Sequence, residues 1–112
     1  MFKMRVYEES IEMVRQVTRL TKVVERHDPD LARQMRRASR SVPLQQMEGF
    51  HGRGRNRAAR LQGAMAEAKE VVACLDVAVA AECLQEADVV ATQRLLDGIA
   101  GSLWKLIHRP RR

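Results

Sequence analysis

Apolar residues in this chain recur at alternating steps of four and three, in four successive stretches. That spacing lays them in one stripe along an α-helix. Such a chain buries its apolar stripe by packing helix on helix. The first stretch carries Val6, Ser10, Met13, Val17, Leu20 and Val24, widened by Ile11 and Val14. The second carries Leu31, Met35, Ala38, Val42, Gln45 and Gly49. The third is Leu61, Ala64, Met65, Ala68, Val71, Val72, Leu75, Ala78 and Val79, and the fourth is Val89, Thr92, Leu96, Ile99, Leu103 and Leu106. No period-two pattern of strands competes.

The breaks between the stretches are short. Asp28-Pro29 is a helix start, a capping carboxylate followed by proline where its missing N–H costs nothing. Gly49 suits a left-handed helix end, and a loop rich in glycine and arginine follows from Phe50 to Arg57. Asn56 can cap the third helix, and Gln85-Glu86-Ala87-Asp88 opens the fourth. The spacing therefore predicts helices over 2–26, 29–48, 56–84 and 85–108. Pro43 falls inside the second, where it removes one backbone hydrogen bond; a bend is expected there, since the apolar spacing runs on through it. Gly98 and Gly101 weaken the fourth helix locally and mark a candidate close contact. Four amphipathic helices with short connections predict an all-α, antiparallel up-down-up-down four-helix bundle. Residues 1–108 are expected to form its single domain, with 109–112 a frayed basic tail.

Several function classes find no support. No apolar run is long enough to span a membrane, and the N-terminus reads straight into a charged helix. Cys74 and Cys83 lie on opposite faces of one helix, about 13 Å apart by helical rise, too far for a disulfide. Unpaired thiols suggest a reducing, cytoplasmic setting. His27, His51 and His108 are scattered over two loops and a terminus. No His-Glu-x-x-His, Cys-x-x-Cys or paired Glu-x-x-His occurs. No enzyme activity, metal site or cofactor is therefore expected.

Charge carries the sharpest functional signal. The net charge is +6 and the pI about 10.1. Arg33, Arg36, Arg37, Arg40, Arg53, Arg55, Arg57 and Arg60 lie within one helix and the loop behind it, opposed there only by Glu48. Guanidinium forks suit phosphate oxygens. Backbone contact to RNA or DNA with weak sequence preference is expected, since aromatics for stacking are few. The alternative is a solvated face, or one paired with acids of a neighbouring subunit. Trp104 reads as an anchor in the core or an interface rather than as a base-stacking platform. A second constellation is polar. Gln45 interrupts an apolar seam and must find partners if buried. Arg37, Gln45, Glu48 and Glu70 are expected to form a network that sets register or assembly.

The second stretch also resembles a known pattern, roughly R-R-A-x-x-S-I-P-x-N-I-A-E-G followed by a glycine/arginine loop. Here it reads Arg36-Arg37-Ala38, Ser41-Val42-Pro43, Gln45-Gln46-Met47 and Glu48-Gly49; Glu70 and Val6-Tyr7 fit as well. The middle departs from the pattern, with Gln45 for asparagine, Gln46 for an apolar residue and Met47 for alanine. Ala66-Glu67 stands where a Gly-Ser pair is usual. The pattern belongs to the four-helix bundle family of proteins encoded within intervening sequences of large-subunit ribosomal RNA genes. The related accessory variability determinants of diversity-generating retroelements share that bundle. The resemblance implies a cytosolic bacterial protein without catalytic activity, assembled as a ring-like homo-oligomer, commonly a homopentamer. For the retroelement branch it implies binding to a reverse transcriptase and to nucleic acid. A protein-interaction scaffold ring without nucleic-acid binding is the alternative.

Overall fold

Four helices follow one another in the computed structural model, which describes residues 2–109 and, within them, side chains from Met4 onward. They are α1 (Phe2–His27), α2 (Pro29–His51), α3 (Gly54–Ala80) and α4 (Glu86–His108). Among the described residues there is no strand. Each helix packs on its two neighbours in the order α1, α2, α3, α4 and back to α1. The result is an antiparallel up-down-up-down bundle measuring 49 × 22 × 19 Å. Pro110, Arg111 and Arg112 of the basic tail lie outside the described residues.

The core follows the apolar stripes. On α4 all six seam residues, Val89, Thr92, Leu96, Ile99, Leu103 and Leu106, are buried. On α1 Val6, Ser10, Met13, Val17 and Val24 are buried, while Leu20 is only partly so and Thr21 takes the neighbouring inner position. The Thr21 hydroxyl donates to the Thr18 carbonyl at 2.8 Å, which satisfies it inside its own helix. Burying a leucine, valine or methionine fully contributes about 1.5–3 kcal/mol. Layers of such residues along the bundle, not helix propensity, hold the helices in place.

The helix ends differ from the sequence expectation at three places. Asp28 caps α2 as expected, its carboxylate accepting from the Leu31 N–H at 3.0 Å. At the other end α2 does not stop at Gly49. It continues unbroken through Pro43 to His51, and Gly49 is buried inside it. Gly49 serves close packing: an added Cβ would lie 2.8 Å from Leu61 Cδ2 on α3. The left-handed residue is Gly54, φ +58°, at the start of α3. The connection is thus only Gly52-Arg53, and Arg55 and Arg57 stand on the first turn of α3.

α3 also ends early, at Ala80, although no glycine marks the stop. The Glu82 N–H donates to the Val79 carbonyl at 3.0 Å and the Cys83 N–H to the Ala78 carbonyl at 2.8 Å. This is a Schellman end in which Glu82, φ +65°, takes the left-handed position usually given to glycine. Asp88 then opens α4 by accepting from the Gln85 N–H at 2.9 Å. Gly98 and Gly101 do not mark a helix contact, because both face open space.

Candidate nucleic-acid interface

The arginines of α2 and the α2–α3 junction divide into two sets. One set is tied to carboxylates. Arg33 pairs with Asp30, one turn back, and Arg36 crosses to Glu25 on α1. Arg37 crosses to α3, where it meets Glu67 at 3.0 Å and Glu70. Arg60 lies 3.9 Å from Glu48. The expectation that only Glu48 opposes this face is therefore corrected. Asp30 lies on α2 itself; Glu25 of α1 and Glu67 and Glu70 of α3 are remote in sequence and become neighbours only when the helices pack.

The other set is Arg40, Arg53, Arg55 and Arg57. No carboxylate among the described residues lies within ion-pair distance of any of them. Arg40 shares a shallow depression on the outer face of α2 with Arg33, Arg36, Arg37, Ser41 and Leu44. Arg53, Arg55 and Arg57 sit together at the α2–α3 junction. The antiparallel topology brings the end of α4 and the start of α1 to the same pole, adding Lys105, His108, Arg109 and Arg5 against Glu8 and Glu9. The opposite pole carries Asp28, Asp30, Glu82, Glu86 and Asp88 beside Arg26 and Arg33. Charge is thus sorted along the long axis, and the basic pole is where unpaired guanidinium groups gather.

The expected polar network of Arg37, Gln45, Glu48 and Glu70 holds only in its Arg37–Glu70 half. Gln45 is not the buried glutamine. Its Nε2 donates to Ser41 Oγ at 2.9 Å, and its amide oxygen closes over Gly63, where an added Cβ would collide with it. Glu48 turns to Arg60. The glutamine on the inner seam is Gln46, fully buried, donating to Ser10 Oγ on α1 at 2.6 Å. Ser10 passes the chain on by donating to the Val6 carbonyl at 2.8 Å. The physical reason is where the buried face is centred. Ala32, Met35, Ser39, Val42, Gln46 and Gly49 are all buried, so the inward direction lies between the columns of Leu31 and Ala32. Gln46 falls within that face, and Gln45, one residue step of about 100° away, at its flank.

Glu67 is the member of the constellation that sequence reasoning missed. Its position one turn before Glu70 was the available signal. It is largely buried, with Oε2 bonded to Arg37 and Oε1 without a hydrogen-bond partner. The bonds to Glu67 first, and then Glu70, push the Arg37 guanidinium still further above its ordinary value. The Arg37–Glu67–Glu70 cluster is a clamp between α2 and α3. Trp104 is not a core anchor. It is 54% exposed and stacks on His108, with ring centroids 4.2 Å apart.

Two further properties bound what the site can do. No group of three or more His, Cys, Asp or Glu among the described residues could hold a metal ion. None of the described helices is long and apolar enough to cross a membrane.

Four helices packed antiparallel around one core define the class, an all-α four-helix bundle. Within it, the family described as 23S rRNA-intervening sequence protein matches residues 3–105, and the chain belongs to that family. The fold is similar to a crystal structure of a protein with unknown function from the S23 ribosomal protein family of Bacteroides thetaiotaomicron. The two are 19% identical with a TM-score of 0.86, over 96% of this chain and 98% of that one. No curated protein matches this chain.

Proposed function

We propose that this protein is a non-enzymatic accessory module that contacts the phosphates of RNA or DNA through its basic pole. The observation that carries the reading is the unpaired set of Arg53, Arg55 and Arg57 at the α2–α3 junction, with Arg40 on the adjoining face of α2. An arginine with an internal carboxylate gains little from a phosphate, because it must exchange one anion for another. An unpaired one gains the full charge-assisted bond. Arg33, Arg36, Arg37 and Arg60 are therefore secondary contacts at most. The family name, which ties its members to ribosomal RNA genes, agrees with a nucleic-acid role.

The module acts as a ring-like homo-oligomer, with a pentamer favoured by the resemblance. Leu44 and Met47, exposed on the outer face of α2 at 65% and 37%, support a subunit contact there. If that face holds only subunits and no strand, the protein is a scaffold ring. A retroelement reverse transcriptase is the protein partner that the resemblance suggests. Two unpaired thiols, Cys74 and Cys83, fit a cytoplasmic location.

The deciding measurement is RNA affinity against salt concentration. Binding to generic RNA should fall steeply with salt, by roughly 0.7 logarithmic units per phosphate contact for a single strand. Replacing Arg53, Arg55 and Arg57 with glutamine should reduce that slope by about two and weaken binding at least tenfold. Affinity that ignores both salt and these substitutions refutes the reading.

A further inference from the structure

We infer that the groove between α3 and α4 at the basic pole holds a single-stranded nucleic acid by stacking an unpaired base on Trp104; this rests on the phosphate-contact reading above. The groove is visible one turn away, where Ala68, Lys69 and Val72 of α3 face Leu96, Asp97 and Ala100 of α4. Trp104 is one helical turn beyond Ala100 and two beyond Asp97, hence on the same side of α4. On α3, Gln62 and Arg55 precede Lys69 by one and two heptads and continue the opposite wall; all three are exposed.

The register of the two helices fixes the levels. Gln93 of α4 donates to Asp76 of α3 at 2.9 Å. Trp104 lies as far beyond Gln93 as Met65 lies before Asp76, so Trp104 is level with Met65. Lys69 is then about 6 Å from it along the axis on one side, and Arg55 about 15 Å on the other. Arg55 has no carboxylate partner among the described residues. A flat aromatic surface thus sits between two cations.

The indole is also braced. His108 stacks on it at an interplanar angle of 25°, and His108 Nδ1 lies 2.9 Å from the Trp104 carbonyl oxygen. One ring face is covered while more than half of the side chain stays in water. A ring held in place before binding loses little freedom when a base lands on its open face. Bases inside a duplex already have both faces covered, so the occupant is a single strand. A second copy of this chain is disfavoured, because Lys69, Lys105, Arg55 and Arg109 around the groove outnumber Asp97 and would meet their like.

Trp104 is the only tryptophan, so its emission reports this groove alone. The full chain is titrated with a single-stranded RNA of about twelve nucleotides, with the same sequence as a duplex, and with inorganic polyphosphate. The single strand should quench the emission saturably; polyphosphate should compete for binding without quenching, and the duplex should quench weakly. Trp104→Ala should lower single-strand affinity at least fivefold, and Trp104→Phe should restore most of it. Both variants should keep the helical circular dichroism. If the strand binds with salt dependence but without quenching, and Trp104→Ala binds equally well, the stacking inference falls while the phosphate reading stands. If nothing anionic binds, both fall. Emission that responds to protein dilution and not to RNA assigns the groove to a subunit contact and overturns the inference.

Discussion

Gly49 of α2 and Leu61 of α3 approach so closely that a Cβ on the glycine would lie 2.8 Å from Leu61 Cδ2 and 3.0 Å from its Cγ. Leu61 is itself fully buried, so its side chain cannot swing out into solvent to make room. Glycine-to-alanine changes inside helices ordinarily stabilise by about 1 kcal/mol. Gly49→Ala should do the opposite and destabilise by about 1–3 kcal/mol through overpacking. Gly98, exposed on α4 with nothing within 4 Å, supplies the contrast. Gly98→Ala should stabilise by about 1 kcal/mol. Urea denaturation of the two variants checks both signs, and equal shifts would show that α2 and α3 are not so tightly apposed.

The contrast between these glycines shows what was legible in the sequence. The seam of α4 could be read directly, because its four-three spacing coincides with the buried face from Val89 to Leu106. Fold class followed from the same periodicity. The role of Gly49 could not be read, because helix-ending and close-packing glycines look alike until the neighbour is known. Gln46 is buried in place of Gln45 because the inner face of α2 is centred a fraction of a turn from the Leu31 column, an offset finer than a seam assigned by heptads. The arginines of α2 and the α2–α3 junction could be picked out along the chain, but their pairing could not. Glu25 and Glu67 become partners of Arg36 and Arg37 only through packing.

Gln46 and Ser10 form a buried pair whose two halves should respond differently. Gln46 Oε1 has no partner, so the side chain already carries an unsatisfied acceptor. Gln46→Leu removes that acceptor, and Ser10 keeps its bond to the Val6 carbonyl. The variant should be neutral or more stable by up to about 1 kcal/mol. Ser10→Ala strands the whole buried amide and should cost about 1–3 kcal/mol. A double-mutant cycle measured by thermal unfolding tests the asymmetry; equal losses from both single variants would contradict it.

Glu82 occupies a left-handed position that L-residues other than glycine enter only at a cost of about 1–2 kcal/mol. Its side chain is exposed and makes no hydrogen bond or ion pair among the described residues. Glu82→Gly should therefore stabilise the bundle by about 0.5–1 kcal/mol, the entropy of the freer unfolded chain taking back part of the gain. A variant less stable than the parent would mean that the glutamate has a partner the α3–α4 turn conceals.

The clamp between α2 and α3 can be separated from the phosphate-contacting arginines. Arg37 bonds both Glu67 and Glu70, and Glu67 is largely buried. Arg37→Ala leaves that carboxylate without its cation and should cost about 1–2 kcal/mol. Arg33→Ala removes an exposed pair one turn apart and should cost no more than about 0.5 kcal/mol. Arg57→Ala should leave stability unchanged and lower RNA affinity. Arg37→Ala should shift the melting curve first. Paired denaturation and binding curves for the three variants distinguish the roles.

Cys74 turns the same clamp into a pH-dependent reporter. Burial pushes its thiol above the ordinary value, the nearby Glu70 carboxylate adds to the rise, and Arg37 opposes it. The folded protein therefore favours the protonated thiol, so reaction with an alkylating reagent should be slower in the folded chain than in urea at the same pH. The sign for stability follows from the raised value. Any contribution is complete below the unfolded thiol value near about 8.5 and is lost as pH rises through the folded one. Glu70→Gln removes the second cause, so the thiol should titrate lower and alkylate faster at about pH 9, with Cys83→Ser as background to isolate the signal. Equal alkylation rates with and without Glu70 would show that its charge does not reach Cys74.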